Sequence, residues 1–179
     1  MREEIFISGF GGQGIILAGE LLAKAALIKG HYAVVTKFYG AEVRGGPVSS
    51  GIIISDKPIL FQFVRKPDVL LALHESGVRA HAPKEVKLAI VDEDLVKKID
   101  VKCDKVLRAP IIRTAEEIGS QAVANVVLLG IFSVFSGIVS ERDLGEAIRK
   151  SVRAKYIDIN LRAVRKGLEL GKQIIGEIH

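Results

Sequence analysis

An α/β architecture with a mainly parallel sheet is what this sequence predicts, and three observations carry the expectation. The first is the run I-F-I-S-G-F-G-G-Q-G-I-I-L at residues 5–17: an apolar strand, a glycine turn, then an apolar helical stretch. The second is D-V-L-L-A-L at residues 68–73, continuously apolar after its first residue, as a central parallel strand buried on both faces requires. The third is the alternation of such runs with helical stretches along the middle of the chain. The turn has the spacing G-x-G-x-x-G at Gly9, Gly11 and Gly14, which makes the expected fold Rossmann-like. Glycine there lets the backbone turn tightly and approach an anion or another backbone, and the amides opening the next helix direct partial positive charge into the loop.

The elements follow in order. The first strand is expected at residues 3–8 and the first helix from 14 to about 29, with Glu20 and Lys24 as an exposed pair four apart and Gly30 as its stop. A second strand at 32–37 leads into a glycine-rich loop of mixed charge at 38–47. Two β-rich runs, 48–55 and 59–63, flank a D-K-P turn at 56–58 and read as a β-hairpin insertion that a plain Rossmann unit lacks. After the strand at 68–73 come a helix at 74–82 and strands at 87–91 and 105–108. The last third is helical: a short helix near 113–118, a long apolar one at 121–136, and one that starts at the capping signal S-E-R-D (140–143) and runs to about 152. An amphipathic stretch at about 157–175 then places Ile159, Val164, Leu168 and Ile175 on one face. No linker, repeat or low-complexity tract divides residues 1–179, so a single domain with a helical C-terminal layer is expected.

Composition narrows the function classes. A formal charge of +5 suits acidic partners such as nucleotides, CoA or acidic electron carriers, but the basic residues are scattered and aromatics are few, which disfavours nucleic acid. The single cysteine, Cys103, excludes an intrachain disulfide, a CxxC pair and a four-cysteine cluster, and is expected to be a structural thiol. The chain opens directly on a strand with no signal peptide, so cytoplasm is the expected compartment. Residues 118–140 carry no charge, yet they hold Gln121, Asn125, several serines and three glycines. They read as a buried or subunit-interface helix rather than a membrane span.

The glycine turn alone suggests a dinucleotide, but such a site wants a carboxylate about 20 residues further on. The second strand ends on Lys37 instead, and the next acid, Glu42, lies inside Y-G-A-E-V-R-G-G-P at 39–47. That disfavours NAD, while a basic residue can meet the 2′-phosphate of NADP. The candidate anion-binding set is Gly9, Gly11, Gly12 and Gly14 with Gln13 as an auxiliary donor; the alternative is a turn that serves backbone geometry only. Arg44, followed by Gly45 and Gly46, is placed to make bidentate contacts with a phosphate or carboxylate, or to pair with Glu42. Lys37 and Tyr39 are weaker candidates. Asn125, an amide in an apolar helix, must find partners in a neighbouring loop, across a subunit interface or on a cofactor. His74, beside Glu75 after the strand at 68–73, reads as a capping or surface residue. No triad, metal-spaced cluster or carboxylate pair is present, so neither catalytic nor metal-binding residues are expected.

Four motifs together resemble one family: G-F-G-G-Q-G at 9–14, Y-G-A-E-V-R-G-G at 39–46, I-S-D-K-P at 54–58, and Asn125 opening an apolar helix that ends in L-G. They are similar to the gamma subunits of 2-oxoacid:ferredoxin oxidoreductases over about residues 5–130. The resemblance implies a complex that oxidatively decarboxylates a 2-oxoacid, adds CoA and passes electrons to ferredoxin. It implies thiamine diphosphate and iron–sulfur clusters on other chains (alpha, beta and a ferredoxin-like delta subunit), with no cofactor bound by this chain alone. The R-G-G form of the second motif leans toward 2-oxoglutarate or a branched-chain oxoacid. Two rivals stay open: a stand-alone NAD(P)-dependent oxidoreductase and a non-catalytic nucleotide or acyl-CoA sensor. A subunit taken from its complex is expected to expose an apolar face, whereas a sensor should be a soluble homo-oligomer.

Overall fold

A computed structural model describes residues 1–41 and 45–178. Its centre is a six-stranded sheet in the order β2-β3-β1-β4-β5-β6. The strands are β1 (Arg2–Phe10), β2 (Tyr32–Tyr39), β3 (Pro47–Ser55), β4 (Val69–Ala72), β5 (Glu85–Asp92) and β6 (Lys102–Ala109). β4, β5 and β6 continue parallel from β1, in the registers Ile7↔Leu71, Leu71↔Ile90 and Ile90↔Leu107. β3 alone runs the other way, wedged between β1 and β2 and paired with β1 from Arg2↔Ser55 to Phe10↔Pro47. The sheet is thus mostly parallel with one antiparallel insertion, as expected.

The hairpin itself is built differently from the expectation. β3 pairs with β2, from Tyr32↔Ser55 to Tyr39↔Val48, and residues 59–63 form no strand. Both edges of β3 are already taken by β1 and β2, so the second β-rich run cannot pair with β3 as the expected hairpin requires. It crosses the sheet surface instead. Thr36 Oγ1 donates to the Gln62 carbonyl at 3.0 Å, and Val64 packs where a Cβ on Gly51 would stand 3.0 Å from its Cγ2. The amides of Arg65 and Lys66 donate to the carboxylate of Glu4 at 2.7 and 3.1 Å.

The helices are α1 (Ile15–Ile28), α2 (Glu75–His81), α3 (Ile111–Ile118), α4 (Ala124–Ser136), α5 (Glu141–Ser151) and α6 (Ala154–Ile178). α1 ends in a Schellman turn: Gly30, at φ +95°, donates to Leu27 O, and His31 N donates to Ala26 O. Glu20 and Lys24 do not pair with each other. Glu20 binds Lys37 of β2 at 2.6 Å and Lys24 reaches Ser151 Oγ at 2.8 Å, because tertiary neighbours outcompete a weak surface pair. α5 carries the expected capping box, with Ser140 and Asp143 bonding each other's backbone amides.

The two faces of the sheet are covered unequally. On one, Ile5, Ile7, Ile52, Ile54, Leu71 and Ile90 join a core continued by Leu21 and Leu22 of α1 and by α4. On the other, Phe6, Leu70, Ala72, Ala89 and Val91 meet only the seven-residue α2, through Val78, together with loop residues such as Val64. The uncharged run at 118–140 becomes α4, whose residues 124–133 are all buried. Among the described residues no helix is long and apolar enough to cross a membrane.

α4 owes its burial to α6. Gly130 and Gly167 face each other at the crossing: a Cβ on Gly130 would stand 2.5 Å from the Val164 carbonyl, and one on Gly167 would overlap the Val127 carbonyl. The buried face of α6 is centred on Ala163, Val164, Gly167 and Gly171, with Ile159, Leu168 and Ile175 on its flanks. Either Gly130→Ala or Gly167→Ala should therefore force the helices apart and destabilise the chain by about 1–3 kcal/mol. Denaturant unfolding would read this as a lower midpoint at unchanged slope.

Candidate functional site

The turn between β1 and α1 is fixed from within and from three sides. Inside it, Phe10 N donates to Gln13 Oε1 at 2.8 Å and Gln13 N to Phe10 O at 3.1 Å. Gln13 Nε2 faces the Leu73 carbonyl of the strand end next door at 3.4 Å. The auxiliary donor expected from the sequence is thus occupied as a brace for the loop.

From outside, α2 presses on Gly9, the β2–β3 connection on Gly11 and α4 on Gly14. A Cβ on Gly77 would overlap the backbone of Gly9. Gly11 N donates to Gly46 O at 2.9 Å, and a Cβ on Gly11 would lie 3.3 Å from Gly45 Cα. Gly14, at φ +70°, has Asn125 Nδ2 2.5 Å from where its Cβ would be. Asn125 is 1% exposed; its Nδ2 donates to Gly14 O at 2.9 Å and its Oδ1 accepts from Val126 N at 2.9 Å. Of the readings open for this amide, the bond to a neighbouring loop is the one realised.

The structure thus brings Gly9, Gly11, Gly12, Gln13, Gly14, Gly45, Gly46 and Asn125 into one neighbourhood. Arg44 lies outside the described residues, as does Glu42. Gly12, at φ +94°, differs from the other loop glycines: no described atom lies within 4 Å of where its Cβ would be. Beside it opens a cavity of about 490 Å³ between the turn, the start of α1 and the β2–β3 connection. Its walls include Phe10, Ile16, Leu17, Tyr39 and Pro47. α1 has no side-chain cap, and among the described residues no hydrogen bond engages the amides of Gly12, Gly14, Ile15 and Ile16. Apolar walls with free amides at one end suit a ligand with an anionic group and an uncharged arm. Ile16, Leu17 and Pro47 were not candidates from sequence; the signal for them was the glycine runs on either side.

The remaining candidates stand apart from this cavity chemically. Lys37 gives its ammonium to Glu20, whose carboxylate raises its pKa above the ordinary 10.5, so it is not a free cation for a 2′-phosphate. Tyr39 lines the cavity and is largely exposed. His74 caps α2, accepting from Ser76 N at 3.1 Å, and its ring tilts against Phe10 at 5.3 Å. Glu75 accepts from the amides of Lys97 and Lys98 at 2.8 and 3.0 Å and pairs with Arg79. His81 contacts Ser49 Oγ, which contacts Ser8 Oγ, each at 3.1 Å, a polar string that ties α2 to β3 and β1. Cys103 sits on the β6 edge, opposite the β2 edge, where burial and the Asp104 charge push its thiol pKa upward. Among the described residues no three His, Cys, Asp or Glu side chains cluster as metal ligands.

Two outcomes follow. Asn125→Ala removes one of the two donors to Gly14 O, Ala18 N remaining, and should cost about 0.5–1.5 kcal/mol, read by chemical unfolding. The backbone amides and Arg79 hold the carboxyl of Glu75 below its ordinary 4.5. Its contribution is therefore present above that value and is lost as pH falls through the lowered pKa. Glu75→Gln should flatten the acid limb of stability against pH, measured by unfolding at a series of pH values below 4.5.

Comparison with known proteins places the chain. Residues 4–170 match the family model for pyruvate ferredoxin/flavodoxin oxidoreductase. The chain is 43% identical to the 2-oxoglutarate synthase subunit KorC of Methanocaldococcus jannaschii, over 97% of this chain and 96% of that protein. It superposes with TM-score 0.84 and 36% identity on the gamma subunit of a keto/oxoacid ferredoxin oxidoreductase from Geobacter sulfurreducens, covering 97% of this chain and 98% of that one. A 2-oxoglutarate:ferredoxin oxidoreductase from Magnetococcus marinus, with 2-oxoglutarate, coenzyme A and succinyl-CoA bound, matches at TM-score 0.79 and 26% identity. That match covers 96% of this chain and 31% of the longer one. The chain belongs to the pyruvate ferredoxin/flavodoxin oxidoreductase family, as a gamma-type member.

Proposed function

We propose that this chain works as one gamma-type domain, residues 1–179, inside a cytoplasmic multi-subunit 2-oxoacid:ferredoxin oxidoreductase, with 2-oxoglutarate as the oxoacid. Near-full-length likeness to the KorC subunit is the observation that carries this reading. Alpha, beta and ferredoxin-like delta subunits supply thiamine diphosphate and iron–sulfur chemistry, and ferredoxin takes the electrons. When bound, those groups decarboxylate the oxoacid and carry away its electrons, so that the acyl group leaves on CoA. The chain's own side chains support that division of labour, since both buried carboxylates among the described residues are engaged within the fold. Asp92 accepts from the Asp94, Leu95 and Ile112 amides, and Glu4 from the Arg65 and Lys66 amides and the Arg2 guanidinium.

The contribution of this chain is to hold CoA. The free amides of Gly12, Gly14, Ile15 and Ile16 take a phosphate at the positive end of α1, with Gly45 and Gly46 flanking it; Arg44, outside the described residues, is the sequence's candidate for a bidentate contact. The apolar wall formed by Ile16, Leu17 and Pro47 excludes water from the uncharged arm. Gly9, Gly11, Gln13 and Asn125 position the amides without touching the ligand, since their own groups are spent inside the fold. The NAD(P) reading loses its one support, because Lys37 is bound to Glu20.

The test is reconstitution with the partner chains. 2-Oxoglutarate- and CoA-dependent ferredoxin reduction is expected, and its absence from an assembled complex would overturn the reading. Ile16→Trp fills the cavity without altering a glycine, and should raise KM for CoA about tenfold with kcat little changed, the pattern of lost uniform binding.

A further inference from the structure

We infer that the aromatic segment at residues 59–64, together with its basic rim, is a docking surface for another subunit that presents an apolar patch edged with carboxylates. The inference rests on the reading of the chain as a subunit of a complex. The segment displays Leu60 at 97% exposure, Phe63 at 55% and Phe61 at 42%. The two phenylalanine rings tilt together at 5.7 Å, and the Arg65 guanidinium lies 3.8 Å from the Phe61 ring centre. Aromatic rings with an arginine are the residue types that dominate binding energy at protein interfaces.

This display is built rather than loose. The Gln62 carbonyl is held by Thr36, Val64 is fitted against Gly51, and one oxygen of the Glu4 carboxylate gathers the amides of both Arg65 and Lys66. The backbone is tied down while the largest side chains face water, so little ordering remains to be done on binding. The segment also lies on the thinly covered face of the sheet, where among the described residues α2 is the only helix and Phe38 and Val64 are among the side chains packed against the small core. Tyr32 of the neighbouring edge strand shares that face by the alternation of β2 and is 49% exposed.

Charge decides the occupant. Three nearby acids already have a cationic partner: Asp56 the N-terminal amine, Asp68 the ammonium of Lys87, and Glu4 the guanidinium of Arg2. Lys57, Arg65 and Lys66 are exposed and take part in no ion pair among the described residues. A second copy docked through the same patch would bring these cations against their symmetry mates. A different chain with carboxylates around an apolar centre meets both the rings and the charges.

The experiment uses the co-produced complex, with subunit retention measured by size exclusion and affinity by titrating the chain into the complex that lacks it. Leu60→Asp with Phe63→Asp should weaken association about thirtyfold or more, while the isolated variant keeps the melting temperature of the parent. Should that variant melt early, Lys57→Glu with Lys66→Glu, at exposed positions outside the core, gives the same readout through charge. It should weaken association and flatten its dependence on salt. Parent-like affinity of both variants in a complex that the parent chain joins normally would overturn the docking surface and leave the subunit reading intact. Failure of the parent chain to join any partner would overturn both. A parent homodimer that these substitutions dissolve would assign the patch to a second copy and overturn the proposed occupant.

Discussion

Contact of main chain on main chain at the β1–α1 turn is the constraint on which the rest of the structure depends. Gly11 and Gly14 lack a side chain because other parts of the fold occupy the space, Gly45 beside β3 and Asn125 of α4. At Gly9 the space is filled by Ile15 and Gln13 of the turn itself, while its backbone leaves no room for a side chain on Gly77 of α2. Segments from the first, middle and last thirds of the chain therefore meet at six residues. The sheet insertion, the helix on the thin face and the helical layer are all positioned from there. The spacing G-x-G-x-x-G is in this chain first a packing pattern, and the glycine outside that spacing, Gly12, is the one that faces open space.

The same crowding explains why the polar groups are where they are. A turn approached so closely by backbone cannot satisfy its carbonyls with water, so Gly14 O takes both Ala18 N and the Asn125 amide. Asn125 can serve because it offers a donor to the loop and an acceptor to its own helix; an aspartate would offer no donor and a leucine neither. Gln13 does the equivalent at the other end of the turn, bridging Phe10 and Leu73. With these carbonyls satisfied, the amides at the head of α1 remain without a partner among the described residues, on segments that line the cavity.

How much of this is legible in the sequence varies with the physical origin of each feature. β4 and α4 are legible because continuous burial writes an uninterrupted apolar run. The start of α5 is legible because its cap is local chemistry between Ser140 and Asp143. The strand order is not: residues 59–63 have the composition of a strand, and the occupancy of both β3 edges keeps them from forming the expected hairpin with it. The role of Lys37 is hidden in the same way, since its partner Glu20 is distant in sequence and adjacent only once β2 lies over α1. At the site, the glycines mark the place from sequence alone. The split between those that pack and the one that faces the cavity needs the neighbours' coordinates.

The uneven clothing of the sheet links fold to role. α1 and α4 build one face into a deep core, and α6 buries α4 against it through paired glycines, so that side is filled except at the head of α1, where the cavity opens. The opposite face has one short helix and a crossing loop whose apolar side chains remain in water. A chain optimised to stand alone would place polar residues there, because exposed rings gain nothing for stability and promote association. Keeping them is a cost that a subunit recovers on assembly. The same logic covers the cavity, whose glycine turn is braced from behind by Asn125 and Gln13 while its open side offers amides and apolar walls without a catalytic group. Both features make sense for a chain that shapes and positions chemistry carried by its neighbours.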